Sequence, residues 1–541
     1  MTPSLGRRDR SGRTRILRPV TSSAAEPTVA GDPARLWFGI GLPGLLASIA
    51  LAAGAMAVGW LAPVSPLATD SFVSALREAP TAEILGKALV IAGAAGALRV
   101  WLSAARRCDG LSVAQARRFG RLALLWALPL LLAPVLFSRD VFSYITLSRL
   151  GPAGINPYEE GTGALFTAWL DGADPMWHHS PSPYGPLWTM VSSIVFHLTG
   201  ADPVSALVAF RLLALLGLGL MVVFIPRLAE LTGADPGRAT WLAVLNPLVL
   251  FHVSASAHND ALMVGLLIAG MTLAMTHHAV AAVMLVSAAG AIKAPALLAL
   301  PFVGLAVVGR DAPFTSVLAA WTRVAAIAAG TVAGVTLVST HGFGWVGNLS
   351  APTKVDTWLS PITALGRTIG RALEWLTPVS GDDVLTAARV VGVAISLGLV
   401  AYLALTFRRR PVMRGVTLAM LAVVVLGPVM QPWYLLWVLP LVAVLPLSHR
   451  ARRLSVVSSI GFSIYSVANT SATTDTLATL PDGIAVLASV LVMGAVVLAQ
   501  GRFGRPFWRE DGTAQGRDSA VSRRQPSTSS RGAVIVSQAH E

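Results

Sequence analysis

The sequence predicts an all-α integral membrane protein, a polytopic helical bundle of about 12–14 spans with large outer loops that carry surface helices. Three observations lead there. Of 541 residues, 54% are hydrophobic and 13% charged, whereas a soluble protein of this size carries about 25% charged residues. The apolar residues form uncharged runs such as GIGLPGLLASIALAAGAMAVGWLA (39–62) and LLALLGLGLMVVFI (212–225), on the scale of the about 20 residues that a spanning helix needs. Arginine, by contrast, gathers in short loops between the runs and in the two tails.

In chain order the apolar runs lie near 38–62, 84–103, 122–137, 204–226, 239–255, 260–277, 279–292, 294–308, 314–339, 386–407, 415–430, 434–447, 454–468 and 483–500. Several are short. Cytoplasmic loops carry an excess of arginine and lysine, which places ARRCDGLSVAQARRFGR, PRLAELTGADPGR, GRDAP, RRRPVMR and SHRARR inside. That assignment holds only if PLWTMVSSIVFHLTG (186–200) does not cross, and it is short for a span. Residues 138–203 therefore read as one large outer loop with 186–200 as a re-entrant or interfacial helix, and 340–385 as a second outer loop. The polytopic domain occupies 37–500, flanked by basic cytoplasmic tails at 1–36 and 501–541. No apolar core with a cleavage site marks a signal peptide in the first tail, and the second has a disordered composition.

The single cysteine, Cys108, excludes an intramolecular disulfide framework and a cysteine metal cluster. The net charge of +14 reads as topology and contact with anionic membrane lipids rather than nucleic-acid binding. No solenoid period is present, and no pair of Gly/Pro-broken spans recurs in two halves as it does around transporter sites.

With this threading the chemically able side chains fall outside. Asp140 opens DVFSYITLSRL and reads either as a helix N-cap or as a general base whose pKa rises near the apolar boundary. Arg139 beside it is suited to hold that carboxylate or to meet a phosphate. Tyr144 falls in the helical spacing of DVFSYITLSRL, Tyr158, Tyr184 and Trp188 are available for stacking, and Glu159, Glu160, Asp171 and Asp174 read as solvated loop surface. In NPLVLFHVSASAHNDALM (246–263), Asn259 and Asp260 either cap the next span or join His252 and His258 in a functional cluster. Lys293, between two half-length apolar runs, is placed to neutralise a phosphate. Trp345, Trp358, Trp433 and Tyr434 suit an interfacial belt or sugar stacking, in loops that also carry Lys354, Asp356 and Gln431. No cofactor is assigned; a divalent metal held by Asp140, His258 and Asp260 is an alternative without recognisable ligand spacing.

Together RDVFSYITLSRLGPAGINPY, SPYGPLW, NPLVLFHVSASAHNDALM, KAPALLALP and QPWYLLWVLP resemble the actinobacterial polyprenyl-phosphomannose-dependent α-1,6-mannosyltransferases of lipomannan and lipoarabinomannan synthesis. The resemblance covers roughly 38–500 and implies a GT-C-like fold in the plasma membrane with an extracytoplasmic active site. It further implies inverting transfer from polyprenyl phosphomannose to the 6-hydroxyl of an α-mannan glycolipid acceptor, with neither nucleotide nor nucleic acid as partner. Asp140 matches the family's outer acidic residue and would be the general base. Lys293, helped by Arg139 or His258, would stabilise the departing phosphate, and Tyr144, Tyr184, Asn259, Asp260, Trp358, Gln431, Trp433 and Tyr434 would line the substrate site. The alternatives are a lipid or solute transporter, or a relative that uses another polyprenyl-phosphate sugar.

Overall fold

The computed structural model describes residues 33–165, 170–200, 202–355, 357–473 and 482–502. Most of both tails lies outside these residues, as does Asp356. Sixteen α-helices of nine or more residues build the described part: α1 Leu42–Val58, α2 Pro80–Ala104, α3 Val113–Ala127, α4 Asp140–Leu150, α5 Pro186–Thr199, α6 Pro203–Leu231, α7 Asp260–Met275, α8 Ala279–Ile292, α9 Leu300–Val308, α10 Phe314–Ser339, α11 Pro361–Leu376, α12 Gly381–Leu405, α13 Val412–Leu426, α14 Leu435–Ala443, α15 His449–Thr473 and α16 Asp482–Arg502. Among the described residues β pairing is limited to two isolated bridges, Trp60 with Val135 and Gly161 with Pro181.

Local signals start these helices. Ser112 and Gln115 form a reciprocal capping box at α3, and the Asp202 and Ser360 side chains accept from the third backbone N–H of α6 and α11. Each satisfies a donor that the helix leaves unpaired. Proline at the first helical position of α2, α5, α6 and α11 adds a pre-set φ where no N–H is needed.

Among the described residues, five helical segments are long and apolar enough to cross a membrane: Ala34–Val58, Pro80–Ala104, Pro203–Leu231, Phe314–Ser339 and Gly381–Leu405. A sixth is possible if Val249–Ala255 and Asp260–Met275, bent by 112°, count as one broken span. The sequence count is higher because hydropathy registers apolar residues and not chain direction. The run at 122–137 leaves α3 for a 3₁₀ turn at Leu128–Leu130. The stretch 279–308 is interrupted by Lys293, whose backbone is extended between α8 and a 3₁₀ segment at Ala294–Ala299. Helix α5 is 14 residues long, about 21 Å at 1.5 Å per residue, which is short of a roughly 30 Å hydrocarbon core.

Helices α1 and α2 pack along one another, as do α6 and α7, and α11 and α12. The α6–α7 contact is a close one. A Cβ on Gly217 would sit 2.3 Å from the Ala261 carbonyl, so only glycine lets α6 approach the first turn of α7.

The arginine-rich loops meet each other. Arg238 grips the Asp109 carboxylate with two hydrogen bonds of 2.5 and 2.8 Å, which holds that carboxyl below its usual range. Arg310 donates to the Arg408 carbonyl and Arg408 to the Ala312 carbonyl. Thr232 reaches the Val444 carbonyl.

Candidate active site

Asp140 reaches its place through a short chain of constraints. The Trp60–Val135 bridge pins the segment that enters α4. Phe137 then takes a left-handed φ of 68°, a strained conformation for a bulky residue, and stacks on Phe251 with ring centroids 4.6 Å apart. Arg139 occupies the N-cap position and Asp140 the first helical one, so the carboxylate is not the cap. Its Oδ2 faces His258 Nδ1 at 3.4 Å. Burial pushes the Asp140 carboxyl up, but His258, Lys293 and Ser138 together hold it below the usual range, opposite to the rise expected from the sequence.

His258 and Asp260 sit at the break in the span. Ala257 turns the chain with φ of 57°, and α7 begins at Asp260. Both side chains are fully buried. The His258 ring stacks on Trp433 at 4.1 Å. Asp260 Oδ1 accepts from Lys293 Nζ at 2.8 Å and from Trp437 Nε1 at 2.5 Å. The Lys293 ammonium also lies 5.3–5.8 Å from the ring centres of Tyr184, Tyr434 and Trp437, within cation–π range. Tyr184 is positioned for this by the Gly185 N–H, which donates to the Ile292 carbonyl at 3.1 Å.

Asp140 and Lys293 share the wall of a cavity of about 330 Å³. Arg139, Tyr184, His252, Gln431, Trp433 and Tyr434 line it too. A second cavity, of about 230 Å³, shares Pro183, Tyr184, Lys293, Val429 and Tyr434 with the first. Its remaining lining is largely apolar, with Pro295, Leu298, Leu349, Val393, Leu397 and Val423. Lys293 thus stands in the lining of both cavities, of which the first carries nearly all the charged and polar side chains and the second is largely apolar. A carboxylate and an ammonium on one wall supply a proton acceptor and fixed positive charge.

The other sequence candidates divide. Arg139 lines the cavity, but Nε and Nη2 donate to the Gly172 and Ala173 carbonyls at 2.9 Å each, tying the loop that follows α4 back to its first turn. Tyr144 is buried against Tyr184, Trp188 and Phe210 and does not line the cavity. Asn259 is buried, with neither amide atom hydrogen-bonded among the described residues. Trp358 is 71% exposed, packs edge-on to Tyr465 and is not among the residues that line the cavity. Glu160 and Asp174, read as solvated loop, line the cavity with Met176 and Trp177. His252 lines it as well, its Nε2 2.9 Å from Ser466 Oγ. Among the described residues no group of three His, Cys, Asp or Glu side chains is arranged to hold a metal ion.

Sequence reasoning overlooked Arg211. Fully buried in α6, it donates to the Leu131, Ala133 and Ala255 carbonyls at 2.9, 2.7 and 3.1 Å. It therefore ties together the stretches that lead to Asp140 and to His258. A lone arginine within an apolar run was the available signal.

Residues 41–309 match the α-(1→6)-mannopyranosyltransferase N-terminal domain, and 362–499 the MptB C-terminal domain. The α-(1→6)-mannopyranosyltransferase A of Mycobacterium tuberculosis is 32% identical over 440 residues, covering 80% of this chain and 83% of that protein. The chain belongs to the α-(1→6)-mannopyranosyltransferase family. From Corynebacterium glutamicum, α-(1→6)-mannopyranosyltransferase A is 29% identical, covering 57% of this chain and 66% of its own. The B enzyme of that organism is 28% identical over 64% and 61%. No solved structure matches. Membership makes the chain a multi-pass membrane glycosyltransferase.

Proposed function

We propose that this protein transfers mannose from polyprenyl phosphomannose to the 6-hydroxyl of an α-mannan glycolipid, with inversion, at the outer face of the plasma membrane. The observation that carries the reading is the position of Lys293 between the two cavities. A lipid-linked sugar phosphate has three parts of different chemistry: a sugar, an anion and an apolar chain. A chamber of mixed aromatic and polar lining, an ammonium and a largely apolar chamber follow in the same order. In the reaction the acceptor hydroxyl oxygen attacks the anomeric carbon while Asp140 takes its proton. The bond to the phosphate breaks with its electron pair on the phosphate, whose growing charge is met by Lys293. Trp433, Tyr434 and Gln431 offer stacking faces and an amide to the sugar. The meeting of the arginine loops with one another supports a single cytoplasmic face, with the cavity opposite.

The test is Asp140→Asn in membranes supplied with labelled polyprenyl phosphomannose and a short α-1,6-mannoside. General-base loss removes about 10²–10⁴ in rate; full transfer by the variant would end the assignment. The 112° break at 255–260 is a feature shared with transporters. Movement of labelled polyprenyl phosphate across proteoliposomes, without sugar transfer by the parent protein, would favour that second reading.

A further inference from the structure

Two groups on the cavity wall, Asp140 and Lys293, are joined behind it by two groups that do not touch it. His258 Nδ1 stands 3.4 Å from Asp140 Oδ2 and 3.8 Å from Asp260 Oδ2. Asp260 Oδ1 accepts from Lys293 Nζ at 2.8 Å. Both linking residues are fully buried, and neither ring nitrogen of His258 nor Asp260 Oδ2 has a hydrogen bond among the described residues. Buried polar atoms without partners call for an explanation. Packing of the imidazole on Trp433 accounts for its flat face but not for a nitrogen poised between two carboxylates. Other titratable neighbours of the cluster are His252, its ring centre 5.8 Å from that of His258, and Tyr144, Tyr184 and Tyr434, which interact with both carboxylates. A second fact concerns Lys293, whose charge is already countered by Asp260. A phosphate that gains charge gets full benefit from the ammonium only when Asp260 loses its own.

We propose that His258 and Asp260 form a proton relay that carries the acceptor's proton from Asp140 to Asp260 and so releases Lys293 to the leaving phosphate. The proposal rests on Asp140 as base and a lipid phosphate as leaving group. As the oxygen–anomeric carbon bond forms and the carbon–phosphate oxygen bond breaks, the hydroxyl proton passes to Asp140. From there it moves to His258 Nδ1, and the ring hands it to Asp260 Oδ2. Neutral Asp260 no longer offsets the ammonium, and Lys293 holds the phosphate monoester as it acquires its second negative charge. The ammonium then gives a proton to that phosphate and recovers one from Asp260, so the product leaves as a monoanion. Donor and acceptor together carry minus one, as do the two products, and every protein group returns to its starting state, so no further reactant is required.

The decisive variant is His258→Gln, which keeps a side-chain N–H towards Asp140 but cannot accept and pass on a proton. A relay predicts that kcat falls about 10²-fold or more while KM for donor and acceptor stays within about threefold. Asp260→Asn should lose as much, and the double variant should be no worse than either single one, because relay members act as a unit. A measurement on the parent protein needs no variant: transfer rates in H₂O–D₂O mixtures should curve, reporting more than one proton in motion. His258→Gln at near-parental kcat, single losses that multiply in the double variant, or a straight parental isotope plot would each overturn the relay. Asp140→Asn in the same assay separates the two levels. An inactive Asp140 variant beside an active His258 variant refutes the relay alone, and an active Asp140 variant refutes the function beneath it.

Discussion

Replacing Arg211 by methionine should destabilise the protein and loosen both sides of the site. Three carbonyls, at Leu131, Ala133 and Ala255, lose their donor. Hydrogen bonds from a charged group contribute about 1.5–3 kcal/mol each, so the three sum to roughly 4–9 kcal/mol. Removing a buried guanidinium also removes its desolvation cost, several kcal/mol, which leaves a net loss of about 2–4 kcal/mol. For a chain of this length that corresponds to roughly 2–4 °C in Tm. Cys108 is the only cysteine and is buried, so a thiol-reactive dye on detergent-solubilised protein reads unfolding directly. Transfer should fall further than the folded fraction does, because Leu131 and Ala133 lie in the segment that leads into Asp140, and Ala255 lies in the one that leads into His258. Arg211→Lys, with its charge but without the fork, should lie between. A methionine variant with parental Tm and activity would refute the claim that this arginine holds the two broken segments together.

Lys293→Met should raise KM for the donor and move the acid limb of kcat/KM to higher pH. The ammonium is one of the groups that hold the Asp140 carboxyl low, so that it stays ionised as pH falls through the usual carboxylate range. Without Lys293, burial gains weight, the pKa rises and the base is protonated earlier on acidification; an unmoved limb would refute the coupling. Gly217→Ala should lower both Tm and transfer, since its Cβ would meet the Ala261 carbonyl at 2.3 Å. Gly219→Ala is the control, with nothing within 4 Å, and equal Tm for the two would dismiss the close-contact argument. Trp358→Ala should leave transfer unchanged, and a tenfold loss would place substrate at this exposed ring.

The membrane class and the helical fold were legible because hydropathy is additive along the chain. Asp140 and Lys293 stood out for the same reason, as charges are conspicuous where almost everything else is apolar. Tyr144 and Trp358 were indistinguishable from Tyr184 and Trp433 by residue type. Packing sends the first behind the cavity wall and leaves the second on the surface. Glu160 and Asp174 looked like loop solvent because a 66-residue stretch between apolar runs carries no sign of folding back, yet both line the cavity. The Asp140 pKa went the other way from expectation for a similar reason. Burial was foreseeable, but His258 lies 118 positions away in sequence and its contact was not.

Sequence alone determined where the chain is oily and where it is charged, since both depend on local composition and its transfer free energy. Only the tertiary structure decided that two distant helix starts and an extended lysine converge on one cluster at the cavity wall. That convergence depends on Gly217, Arg211 and the left-handed turns at Phe137 and Ala257. Their effect is to aim the backbone, and a backbone direction leaves no mark in hydropathy.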